Sequence, residues 1–253
     1  MLLAAGIGSR LRPITKTVPK CLVTIHERPL LDYWLDTIFC SGVVDRVLIN
    51  THHLAHQVLI YVAQSVWRER IDLVHEAELL GTGGTLKANR SYFGDESFLL
   101  AHADNLTDFD LAALVDVHGT RPGYCAMTML TFRTDDPHSC GIVELDEYSV
   151  VQAFHEKVAN PPSNLANAAV YILTPEVADQ VCRLPDSIID MSKDVIPTLM
   201  GRIFAVETSR YHRDIGTPER LDLARREFQQ ISGCRPSAPN PPSRPRHLRS
   251  SRI

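Results

Sequence analysis

Short apolar segments alternate with amphipathic ones along the first half of the chain, and this rhythm restricts the fold more than any other feature. Leu2 to Ala5 reads as a strand. Residues 30–40, LLDYWLDTIFC, carry apolar side chains at helical spacing, and residues 43–50, VVDRVLIN, return to a strand. Residues 56–68 read as a helix, 71–76 (IDLVHE) as a short strand and 84–91 as the start of another helix. Residues 97–101, SFLLA, form an apolar strand that runs into polar residues, and 110–118 is helical again. Strands alternating with helices predict an α/β fold, with a mixed, mostly parallel central sheet covered on both faces.

The second half is less regular. Residues 124–133 read as a strand, 140–157 as two strands joined around Asp146 to Ser149, and 168–175 (AAVYILTP) as a strand stopped by Pro175. A strand over 202–209 precedes a helix over 217–231, for which Thr217 is the expected cap and Pro218 the first residue. Glu219 suits the positive end of that helix, whereas Arg220 beside it does not. At 253 residues the chain is long enough for one large core. We expect one folded domain over 1–232, then a disordered tail over 233–253 rich in Pro, Arg and Ser and lacking acids. No internal repeat is visible.

Composition excludes several classes. A net charge of −4 argues against nonspecific nucleic-acid binding, although a local basic cluster still suits phosphate. Cysteines at 21, 40, 125, 140, 182 and 234 form no C-x-x-C pair, so zinc ribbons and thioredoxin-like motifs are absent. No apolar run reaches the roughly 18 residues of a membrane span, and the start lacks a signal-peptide layout. A reducing, cytoplasmic setting is the expectation.

The chemistry begins in the first turn. Gly6 and Gly8 follow the first strand, and Arg10, Arg12 and Lys20 bring positive charge to the same stretch. The turn lacks the spacing of a P-loop, and Leu11 stands where a dinucleotide fingerprint needs its third glycine. What remains is a loop whose amides and cations grip a nucleoside triphosphate. Leu3, Ala4, Ala5, Gly6, Gly8, Arg10, Leu11, Pro13, Thr15, Pro19 and Lys20 together resemble the signature of the sugar-nucleotide pyrophosphorylases, L-A-A-G-x-G-x-R-L-x-P-x-T followed by P-K. The form of the motifs is similar to that of short single-domain mannose-1-phosphate and heptose-1-phosphate guanylyltransferases. That family usually carries two to four more residues before L-A-A-G, so the expectation here is that the first strand is short or the chain starts late.

The resemblance implies a Rossmann-like, three-layer nucleotidyltransferase (GT-A-like) fold. It also implies that Leu3, Ala5, Gly6, Gly8, Arg10 and Lys20 hold the nucleotide, with the Ala5–Gly6 backbone near the base. Four further motifs follow in the family's order. Glu76 and Glu78 precede Gly81, Thr82, Gly83 and Gly84. Three glycines allow close backbone approach to a flat ligand, and a carboxylate there accepts two hydrogen bonds from guanine, so GTP is the expected nucleotide. Asp104 ends an apolar strand, followed by Asn105, with Ala103 where the family has glycine. Asp108 and Asp110 read as turn and cap residues. Glu156 and Lys157 resemble the family's E-K, and Asn167 its sugar-holding asparagine, with Ala169 in a usual glycine place. Asp214 to Pro218 matches D-I/V-G-T-P.

By the same resemblance, Asp104 and Asp214 ligate Mg2+, Arg10 and Lys20 act with them in catalysis, and Asn105, Glu156, Lys157 and Asn167 bind the sugar phosphate. The implied reaction converts sugar 1-phosphate and NTP into NDP-sugar and pyrophosphate. The same reaction with UTP, dTTP or CTP stays open, as does a non-catalytic nucleotide-sugar-binding regulator. No membrane or nucleic-acid partner is expected, and a homodimer is left open.

Overall fold

In the computed structural model of the protein, which describes residues 1–228, the expected alternation produces a mixed central sheet. The first half contributes β1 (Leu2–Leu3), the small hairpin β2 (Thr24–Ile25) and β3 (Arg28–Pro29), then α1 (Leu30–Cys40), β4 (Val47–Thr51), α2 (Ala55–Gln64) and β5 (Ile71–His75). After these come α3 (Gly81–Ala88), β6 (Phe98–His102), β7 (Asn105–Thr107) and α4 (Leu111–Thr120). The second half adds β8 (Met127–Arg133), β9 (Gly141–Leu145), β10 (Val151–Glu156), β11 (Leu165–Leu173), α5 (Pro175–Arg183), β12 (Ile203–Glu207), β13 (His212–Asp214) and α6 (Pro218–Phe228).

Strands β6, β1, β4 and β5 lie side by side and run parallel. The long β11 pairs antiparallel with β6, β8 and β9, and β12 runs parallel to β8. Side chains alternate across this sheet as period-two patterning requires. Leu2, Ile49, Ala101 and Val170 pack under α1, α2 and α4, through Trp34, Ile38, Val58, Val62 and Leu114. Leu3, Leu48, Leu100 and Tyr171 face the opposite way, onto Leu86 of α3 and Val177 and Val181 of α5. The result is the expected three-layer arrangement. A third cluster packs Leu221, Ala224 and Phe228 of α6 against Leu11, Val23, Ile25 and Leu30. This contact brings the residues just before α6 back to the first turn of the chain.

Several expected boundaries move. The helix expected from residue 84 begins at Gly81, so the glycines form its first turn. Pro175 does more than stop a strand: it opens α5, whose Val177, Ala178 and Val181 are buried. The expected short first strand is two residues long. The expected tail, 233–253, and the last four residues of the expected domain lie outside the described residues. Among the described residues, no helix is long and apolar enough to cross a membrane.

Candidate functional site

Asp104 and Asp214 stand together although 110 positions separate them in the chain. Asp104 follows β6, at the C-terminal end of a parallel strand, where open α/β sheets hold ligands. Asp214 ends β13, which pairs antiparallel with β7 so that Asp214 lies opposite Asn105. The Ile215 amide then donates to the Asp104 carbonyl at 3.1 Å. Between the two carboxylates sits Lys20. Its Nζ donates to Asp104 Oδ2 at 2.6 Å and to Asp214 Oδ1 at 3.4 Å, and Lys20 is only 6% exposed. Burial alone would pull the Lys20 ammonium down. The two carboxylates reverse that and hold it above its ordinary value, so it is charged. Burial likewise pushes Asp104 up, but Lys20 and nearby His102 outweigh it and hold the carboxyl below the usual range.

Gly8 explains how Lys20 reaches this place. Its φ is +65°, and a Cβ built there would lie 2.8 Å from Thr15 Cγ2 and 3.4 Å from Lys20 Cβ. The Thr15 hydroxyl and the Leu11 amide both donate to the Gly8 carbonyl, which folds the loop onto itself. Gly6, by contrast, is exposed, and among the described residues a Cβ added there would meet no atom within 4 Å beyond its chain neighbours. Leu3 and Ala5 are buried beside it and support the loop from below. The Arg10 guanidinium is exposed and stands 4.0 Å from Asp214 Oδ2.

The two glutamates do not act as a pair. Glu76 is 5% exposed, and its Oε1 accepts from Asn50 Nδ2 at 2.9 Å and from the Thr85 hydroxyl at 2.5 Å. Its Oε2 accepts from the Leu80 amide at 3.3 Å, while Asn50 Oδ1 accepts from the Ala4 amide. Glu76 therefore ties the first turn to the glycine loop from inside, and Glu78 is exposed. Glu76→Ala is expected to cost about 2–3 kcal/mol, because Asn50 and Thr85 lose their buried acceptor. Glu78→Ala should leave the urea midpoint unchanged, and equal midpoints for both variants would contradict this division. The three glycines also pack closely on another segment of the chain. Gly83 and Gly84 donate to the Ile189 carbonyl at 2.8 and 3.1 Å, and Thr82 Oγ1 accepts from the Met191 amide. The chain at 187–191 occupies the space their missing side chains leave.

The residues expected around the sugar phosphate divide in the same way. Asn105 is 5% exposed and donates to the Ala168 carbonyl, so it braces β11 rather than facing solvent. Asn167 donates to the Tyr171 hydroxyl at 2.7 Å and accepts from the Ala169 amide at 2.9 Å. Its amide thereby shapes an irregularity in β11 between Asn167 and Tyr171. Ala169 has φ +53°, a left-handed conformation that costs a side-chain-bearing residue about 1–2 kcal/mol and is why glycine suits the position. Glu156 Oε1 pairs with Lys157 Nζ at 3.0 Å, and the Lys157 side chain remains 59% exposed. Asp110 caps α4 by accepting from the Ala113 amide, and Asp108 pairs with Arg210, as turn and cap residues should.

Residues 1–230 match the family model described as nucleotidyl transferase. The chain belongs to that family. Mannose-1-phosphate guanylyltransferase of Mycobacterium tuberculosis is 29% identical over 245 residues, covering 94% of this chain and 66% of the relative. UTP–glucose-1-phosphate uridylyltransferase of Synechocystis is 29% identical over 233 residues, covering 85% and 59%. The chain thus spans about three-fifths to two-thirds of the length of these curated relatives. Among solved structures, a glucose-1-phosphate thymidylyltransferase from Bacillus anthracis, itself described as putative, superposes with a TM-score of 0.79 at 20% identity, covering 89% of this chain and 92% of that one. HddC from Yersinia pseudotuberculosis, crystallised with GMP-PN, has a TM-score of 0.75 at 24% identity, covering 90% and 97%. These likenesses carry the nucleotidyl transferase fold.

Members of the nucleotidyl transferase family generally use a divalent metal, and the donors here suit one kind. Among the described residues, no group of three or more His, Cys, Asp and Glu side chains is placed to hold an ion. Two carboxylates converging on one cation, the Lys20 ammonium, are instead a hard, oxygen-only pair. That matches Mg2+, which is held by one or two carboxylates and completes its shell with water and substrate phosphates. Sequence reasoning did not single out Arg220 or Asn50 for this region. Arg220 NH1 lies 3.7 Å from Asp214 Oδ2. Its placement against the helix dipole was the one visible signal, since a cation misplaced for its helix needs an anion elsewhere.

Proposed function

We propose that the chain is a sugar-1-phosphate nucleotidyltransferase that uses Mg2+ and prefers GTP. The observation that carries this reading is the buried Lys20 ammonium between Asp104 and Asp214, with Arg10 alongside, in the family's fold. A sugar-phosphate oxygen attacks the α-phosphorus in line, the bond from that phosphorus to the bridging oxygen breaks, and pyrophosphate leaves. No protein atom becomes covalently attached, so catalysis is positioning and neutralisation of charge. Arg10 and Lys20 face the triphosphate and steady the departing pyrophosphate. Lys157, exposed and paired with Glu156, meets the phosphate of the sugar, and Glu156 accepts from its hydroxyls. Asp104 and Asp214 would hold Mg2+, which when bound would supply further positive charge to the phosphates. A regulatory protein that only binds nucleotide sugars would not need Lys20, Asp104 and Asp214 kept together.

The preference for GTP is supported by the mannose-1-phosphate guanylyltransferases among the relatives and by the GMP-PN complex of the Yersinia neighbour. The uridylyltransferase of Synechocystis favours a second reading, the same reaction with UTP. Pyrophosphate release from four NTPs against a panel of sugar 1-phosphates, with Mg2+, tests both. GTP with mannose 1-phosphate or a manno-heptose 1-phosphate is expected to give the highest kcat/KM. UTP or dTTP in first place would overturn the guanine preference, and no release from any pair would overturn the enzyme.

A further inference from the structure

Arg220 lies in the first turn of α6, where the helix dipole disfavours a cation, yet its side chain is only 20% exposed. One ion pair and two hydrogen bonds hold it there. NH1 stands 3.7 Å from Asp214 Oδ2, while NH2 donates to the Asp136 carboxylate and to Ser139 Oγ at 2.6 Å. Asp136 and Ser139 belong to one tight turn, in which the Ser139 hydroxyl also donates to the Asp136 carbonyl. A second arginine pairs with the residue just before that turn: Arg213 NH2 is 3.3 Å from Asp135 Oδ2.

That turn runs directly into the residues that frame the proposed sugar-phosphate site. The Cys140 carbonyl accepts from the Lys157 amide at 3.1 Å, and Gly141 is the register partner of Glu156 in the β9–β10 pair. Lys157 itself has φ +51°, so its backbone depends on neighbours to hold it. A planar guanidinium can bind several oxygens at fixed angles, which a point charge on a flexible stem cannot.

We propose that Arg220 is a positioning residue of the transfer reaction, fixing Asp214 with one nitrogen and the 136–139 turn with another. It thereby sets the Glu156–Lys157 pair relative to the carboxylate pair. This rests on the function proposed above. One half of the fork governs a carboxylate of the transfer step itself, and so kcat; the other half governs the lysine that meets the sugar phosphate, and so its KM.

The test is steady-state pyrophosphate release by the full chain and by Arg220→Gln, Arg220→Lys and Asp136→Asn, with melting temperatures recorded alongside. For Arg220→Gln, the KM for sugar 1-phosphate should rise about fivefold or more and kcat should fall about tenfold, with the KM for NTP within about twofold. Arg220→Lys should recover part of both losses. Asp136→Asn frees the turn without touching Asp214, so it should raise the sugar-phosphate KM and leave kcat within about twofold. Normal constants in Arg220→Gln, or equal rises in both KM values, would overturn the proposal. Should Arg220→Gln fail to fold, normal constants in Arg220→Lys and Asp136→Asn would overturn it equally. An unmutated chain inactive with every substrate pair removes the underlying function, and this inference with it; an active chain with indifferent variants removes the inference alone.

Discussion

Exchange of Lys20 for methionine is expected to lower kcat/KM by about a hundredfold to a thousandfold, the scale of losing one preorganised charge-stabilising group. The same change should reshape the pH dependence of folding. In the unmodified chain, Asp104 is held below the ordinary carboxylate range, so its contribution to stability is complete above about pH 4 and is lost as pH falls through the lower, folded value. Without the ammonium, burial, the largest influence on Asp104, is no longer offset by Lys20 and raises the Asp104 proton affinity above its unfolded value. The variant then binds more protons folded than unfolded, and its stability rises as pH falls from 7 towards 4. The side chains of Asp104 and Asp214 keep 31% and 33% of their surface exposed. Water contact of that size limits the loss at pH 7 to about 1–2 kcal/mol, below that of a fully buried broken pair. Urea midpoints of both proteins at pH 7 and pH 5, in chelator, provide the check. A gap that is unchanged between the two pH values, together with ordinary turnover, would contradict the role given to Lys20.

The first half of the fold was legible because each strand and helix there carries its own period and its own punctuation. LLDYWLDTIFC became α1 with the expected bounds, since Leu31, Trp34, Leu35 and Ile38 all face one core. The pairing of β7 with β13 was not legible. Each strand has three residues and no alternation to read, and the pair exists because α6 packs on the first turn and returns the chain to β6. The resemblance named Lys20, Asp104 and Asp214, and the structure brings them within hydrogen-bonding reach. It did not reveal that Glu76 and Asn105 face inward, because the acceptor of a buried polar group is a tertiary fact. Nor could spacing reveal Asn50, whose partners Ala4, Glu76 and Thr85 come from three separate segments.

The glycine loop provides the second large expected effect, and it separates a packing role from a ligand role. At Gly81, φ is +73° and a Cβ would lie 2.5 Å from the Ile189 carbonyl oxygen. At Gly84 it would lie 2.4 Å from the Ser187 carbonyl oxygen. Backbone atoms yield less readily than a side-chain tip, so the helix-propensity gain of about 1 kcal/mol from alanine at Gly84 is outweighed by overpacking of about 1–3 kcal/mol. Gly81→Ala adds left-handed strain to the same clash and should lose about 2–4 kcal/mol. At about 2–4 °C per kcal/mol, the melting temperature should fall by about 5–15 °C. Gly6→Ala is the counterpart, because among the described residues, its two chain neighbours aside, no atom lies within 4 Å of its Cβ position. Its melting temperature should stay within about 2 °C of the parent's, the small effect of a surface change. Its KM for NTP should nevertheless rise, because the added methyl enters the open face proposed to lie against the base. A Gly81→Ala protein that melts normally but binds NTP weakly would overturn the packing role and give this glycine to the nucleotide instead. A Gly6→Ala protein with an unchanged KM would move the base away from the first turn.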